Sequence, residues 1–200
     1  MPVTHGDPPP GSAEAVQEAL RRFAGVPDAH RNALRGTQPA ELDPSLPHPV
    51  FNLGLSDLTR RAGGGLGAAR LTGWRYLLRS QQQVVASAET VSAGGGREEF
   101  SHFNQGPFVG GTAAALEAAQ AIPETQDRSY ELRLLHVPAL YAMALWLHAD
   151  DGGDDVLIPI QPAPPGIEAN RPYPAQELLQ ALAERGRDIP EMGPDDTRGG

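Results

Sequence analysis

Six histidines, a cluster at Ser101, His102 and Asn104, and four aspartates around Gly152 and Gly153 are the residues of this chain whose types could do chemistry. No two histidines stand at HxH or HExxH spacing, so a metal centre would need assembly from distant segments. Exposed or hydrogen-bonded imidazole is the expectation for each, with His5, His30 and His48 in tail, helix surface and linker, and His102, His136 and His148 in or beside the main domain. Ser101 beside His102 suggests a nucleophile and its base. Neighbouring residues of an extended chain point apart, however, and no GxSxG elbow accompanies Ser101, so capping of the next helix is the expected role of Ser101 or Asn104.

Asp150, Asp151, Asp154 and Asp155 lack the spacing and closing glutamate of a calcium loop and are expected as a solvated acidic turn. Glu89, Glu98, Glu99 and Glu131 could serve acid–base work, but no context marks any of them. The run Gly63-Gly64-Gly65-Leu66-Gly67 has no Lys-Ser or Lys-Thr after it, and Arg70 stands where a dinucleotide fingerprint needs its third glycine. A flexible loop is the expectation there. The sharper candidate is an anion site at the backbone N–H groups of Gly106 to Gly110, where a helix begins at Pro107, with Arg75, Arg79 or Arg133 as the complementary charge. Arg75, His102, Asn104 and Arg133 form the expected ligand-binding set, in a pocket between the sheet and this helix. No metal and no cofactor are expected.

Composition limits the alternatives. The formal net charge is −9, and every basic residue is arginine. Without lysine there is no Schiff-base chemistry and no phosphate-gripping lysine of a Walker loop. An Arg-only chain rich in Ala, Gly and Pro matches a GC-rich coding sequence, hence a bacterium. Negative charge with no basic cluster argues against nucleic acid as partner. The absence of cysteine removes disulfides, thiolate zinc sites and thiol nucleophiles. No leader pattern and no apolar window of about 18 residues is present, which makes the cytoplasm the expected location and excludes a membrane partner.

These groups must be held by elements, and the richest stretch is residues 130–160. Its middle run, 139–148, is apolar on both parities, as a strand covered on both faces should be. The β-branched run 156–160 follows the acidic turn, so a hairpin explains both halves. Residues 73–80 and 83–91 read as an antiparallel pair, with Trp74, Tyr76 and Leu78 on one face and Arg75 and Arg79 on the other. Arg75 could meet Glu89 as an exposed cross-strand ion pair worth about 0–1 kcal/mol. Residues 49–55 read as a short edge strand, Pro107 opens a helix to residue 121, and Pro174 opens another.

The expected organisation is a disordered tail (1–11), a helical N-terminal extension (12–36), a Pro-rich linker (37–48), one domain (49–187) and a disordered acidic tail (188–200). The expected fold class is α+β, a mostly antiparallel sheet of about five strands with helices packed on it, plus the helical N-terminal extension. The expected function is that of a bacterial cytoplasmic protein acting through protein contacts, with itself or another chain, as an accessory or assembly component. The second expectation is an anionic small-molecule binder or enzyme using Arg75, His102, Asn104 and Arg133.

Overall fold

A computed structural model describes residues 3–24, 34, 41–60, 65–93, 97–122 and 128–188. It contains one mixed sheet of nine strands and four α-helices. The strands are β1 (Val3–His5), β2 (Asp43–Asn52), β3 (Arg70–Ser80), β4 (Gln83–Ser92), β5 (Glu98–Asn104), β6 (Tyr130–Val137), β7 (Ala142–Ala149), β8 (Val156–Pro159) and β9 (Tyr173–Pro174). The helices are α1 (Ser12–Ala24), α2 (Leu55–Thr59), α3 (Pro107–Gln120) and α4 (Ala175–Arg187). Strand order is β5-β4-β3-β2-β6-β7-β8-β9, with β1 paired to β6 off this path.

This corrects the expected fold class. The sheet has nine strands instead of about five, and β1 and β2 both run parallel to β6. Nor does the chain begin as a helical extension. Val3–His5 joins the sheet, and α1 lies across it with Val16, Ala19 and Leu20 buried on Trp74, Tyr76, Leu78, Ala86 and Ala88. Ser12 is fully buried and accepts a hydrogen bond from the Tyr76 hydroxyl at 2.9 Å, tying the start of α1 to β3. The remainder of the expected extension (25–36) and the acidic tail fall, apart from Leu34 and Asp188, outside the described residues.

β7 shows why its sequence is apolar on both parities. Leu145 and Leu147 face α3 with Leu132, Leu134, Ile158 and Ile160, while Ala144 and Trp146 face α4 with Leu135, Leu157, Leu178 and Leu182. Each fully buried leucine here contributes about 1.5–3 kcal/mol. Among the described residues α3 is the only helix on its side of the sheet, and it approaches closely at Gly111, where a Cβ would overlap the Gln161 carbonyl and lie 2.8 Å from Ile160 Cγ2. No helix among the described residues is long and apolar enough to cross a membrane.

β2 also departs from expectation, because residues placed in a linker and an edge strand form an interior strand. Proline has no N–H for a ladder, and β2 carries Pro44, Pro47 and Pro49. Accordingly β2 pairs with β6 only at Val50, Phe51 and Asn52. Earlier along β6, at Tyr130 to Leu132, β1 takes the place next to it. β2 bulges between Ser45 and His48, and Leu46 has φ +50°, a left-handed conformation costly for a branched side chain.

Candidate functional site

Register sets a polar row across four strands on the α3 side. His48 stands opposite Arg75, Arg75 opposite Glu89, and Glu89 opposite His102. Arg75 is 4% exposed. Its Nε donates to Glu89 Oε1 at 2.8 Å, its Nη2 bonds the same oxygen, and both terminal nitrogens lie 3.7 Å from Met143 Sδ. Asn104 Nδ2 donates to Glu89 Oε1 at 3.1 Å, and His102 Nε2 is 3.9 Å from Oε2. The expected ion pair therefore forms, but buried instead of exposed.

Three of the four expected ligand residues, Arg75, His102 and Asn104, thus converge on one carboxylate. The fourth does not join them. Arg133 lies on the opposite face, its guanidinium 5.3 Å from the Phe51 ring centre and 4.9 Å from that of Trp146, and paired to Glu131 at 2.6 Å. Arg75 is consequently already neutralised by Glu89, while the buried His48 Nε2 has no hydrogen-bond partner among the described residues.

Burial raises the Glu89 carboxyl, but the Arg75 charge and hydrogen bond more than offset this and hold it below the ordinary value. Burial pushes the His48 imidazole down to about 4, opposed by its hydrogen bond to the Leu46 carbonyl. Burial, with Arg75 nearby, also lowers His136. These depressed values give a definite pH dependence. Unfolded histidine takes up a proton as pH falls through 6.5, whereas folded His48 resists until about 4. Its contribution is complete above pH 6.5 and declines toward pH 4, by roughly 3 kcal/mol at 1.36 kcal/mol per unit. His136 acts in the same direction, and Glu89 adds to the loss below 4.5. Urea unfolding should show stability dropping between about pH 7 and pH 5, and a flat profile there would contradict it.

A cleft of about 550 Å³ opens between α3, β1, the β2 bulge and the β3–β4 hairpin. β1 contributes His5, the β2 bulge Leu46, the β3–β4 hairpin Arg79, Gln82, Gln83 and Val84, and the flank of α3 Leu116, Glu117 and Gln120. The row and the cleft share the bulge, since His48 Nδ1 donates at 2.7 Å to the carbonyl of the strained Leu46. The hairpin turn is strained as well, with Gln81 at φ +48° and Gln82 at φ +71°, where glycine or asparagine is the cheaper choice. Such backbone strain concentrates at sites of function.

Arg79 is the key side chain. Among the described residues its Nε is buried with no hydrogen-bond partner, and its guanidinium makes no ion pair. It lies beside the body of α3 and not at the Gly106 end where an arginine was expected to complement an anion. Among the described residues no three His, Asp or Glu side chains converge as a metal would require. The signals for the cleft were the prolines of β2 and a Gln-Gln turn in place of Asn-Gly. Searches with protein-family models, curated proteins and solved structures give no match to this chain.

Proposed function

We propose that the protein binds a small, singly anionic molecule, such as a carboxylate, in the cleft between α3 and the β3–β4 hairpin. The observation that carries this reading is the buried, unpartnered Nε of Arg79 in the cleft wall. A guanidinium matches a carboxylate with two parallel N–H donors, and a buried donor left unpaired costs about 1–3 kcal/mol that a ligand oxygen would recover. Gln82, Gln83 and Gln120 supply amides able to bond the ligand from other sides. Glu117 at the exposed flank of α3 opposes a polyanion, which favours a single negative charge. An Arg-only composition supports a bacterial setting for this binding.

Calorimetry against a panel of small carboxylates, with inorganic phosphate alongside, tests the reading. Arg79→Ala should fold as the parent does, because no described residue bonds the Arg79 side chain, yet lose about 10- to 100-fold in affinity. Gln82→Gly should relieve the turn, raising the melting temperature by about 2–4 °C while weakening the ligand. If no carboxylate binds, or if Arg79→Ala binds as tightly, the proposal is wrong.

The outermost strand favours a second reading, action through protein contacts. β5 pairs with β4 on one side, and its other edge has no strand partner among the described residues. An added strand from itself or another chain is the contact such an edge supports. A concentration-independent monomer by sedimentation that also captures no partner strand would remove it.

A further inference from the structure

We infer that His148 and Asp155 form a general-base dyad that hydrolyses small uncharged esters in a second cleft, remote from Arg79. The acidic turn expected to be wholly solvated sends Asp155 inward. Its carboxylate accepts hydrogen bonds from Trp146 Nε1 at 2.8 Å, from the Ala149 N–H at 2.9 Å and from His148 Nδ1 at 3.1 Å. Three donors fix the carboxylate, and the Trp146 ring braces the imidazole edge-on at 5.7 Å. The side chain of Asp155 is 16% exposed and that of His148 35%. The carboxylate thus lies inside and the base outside, the order in which a carboxylate orients a histidine and leaves its second nitrogen to work.

Because Nδ1 donates its proton to Asp155, Nε2 of neutral His148 carries a lone pair, and no group among the described residues bonds it. His148 lines a cleft of about 540 Å³, together with Leu66 and Leu179 as an apolar wall and the first turn of α4 at Ala175 and Gln176. α4 has no side-chain cap; its Ala175 N–H donates to the Asp155 backbone carbonyl at 3.0 Å, and the next N–H groups of the first turn, from Gln176 on, have no acceptor within the helix. Asp154 is in the same wall and, among the described residues, no arginine lines it, so an uncharged substrate is preferred over an anion.

In the reaction, His148 Nε2 takes a proton from water as the water oxygen bonds to the ester carbonyl carbon. The carbonyl π pair moves to oxygen, beside the α4 N–H groups. Collapse reforms the carbonyl and breaks the bond to the alcohol oxygen, which receives the proton from Nε2. Ester and water become acid and alcohol, and the dyad is restored.

Hydrolysis of p-nitrophenyl acetate and butyrate by the full chain tests this. The parent should exceed free imidazole at equal concentration, and His148→Gln should fall by at least about 100-fold with the circular dichroism unchanged. Asp155→Asn can disturb the turn, so a measurement on the parent stands beside the variants. Nitrogen NMR of neutral His148 should show the proton on Nδ1. Turnover no faster than imidazole, activity surviving in His148→Gln, or a proton resident on Nε2 would each overturn the proposal.

Discussion

Leu145→Asp is expected to abolish soluble, folded protein. Leu145 is fully buried, stands opposite Leu134 on β6 and Ile158 on β8, and faces α3. The substitution forfeits about 1.5–3 kcal/mol of burial and places a carboxylate where no donor waits, at a further cost of several kcal/mol. Together these approach or exceed a net stability of roughly 5–15 kcal/mol. Leu145→Met, which conserves volume, should stay soluble and lose less than about 1.5 kcal/mol. Soluble yield and circular dichroism check the pair. A soluble Asp variant with an unchanged melting temperature would show that the α3 side of the sheet is open to water.

Arg75→Ala is expected to cost about 3–5 kcal/mol, because it leaves Glu89 buried without its counter-charge. Asn104 alone would remain within normal hydrogen-bond distance of the carboxylate, with His102 at 3.9 Å. Replacing both partners, as Arg75→Met with Glu89→Leu, should recover most of that loss, since two apolar side chains of similar shape need no pairing. Urea unfolding of the single and double variants separates the two effects. A single variant that costs under about 1 kcal/mol would mean that water reaches Glu89 and that the pair is a surface one.

How much of this was legible follows from which forces are local. β7 could be read because burial on both faces writes apolar residues on both parities of the chain, and the β3–β4 pairing because Trp74, Tyr76 and Leu78 alternate with Arg75 and Arg79. The meeting of Arg75 with Glu89 was legible as a register possibility, but its burial was not, since His48, His136 and Met143 come from strands whose order no periodicity encodes. Arg133 stands apart from the other three because it is opposite Trp146 on the α4 face, and nothing in the sequence relates the faces of β6 to those of β3. β2 was hidden by its prolines, which normally mark a linker, and β1 by a length of three residues. Arg79 was visible as a charge, while the lack of any partner for it is a property only three dimensions reveal.

The parallel pairing of β1 with β6 sets Val3 beside Tyr130 and His5 beside Leu132. Val3–His5 is translated long before its partner, so β1 stays without it until Tyr130 to Leu132 have been made. Closing so long a loop is slow, and it comes late in assembly. His5 therefore takes its place in the cleft wall only once β6 is available to hold β1.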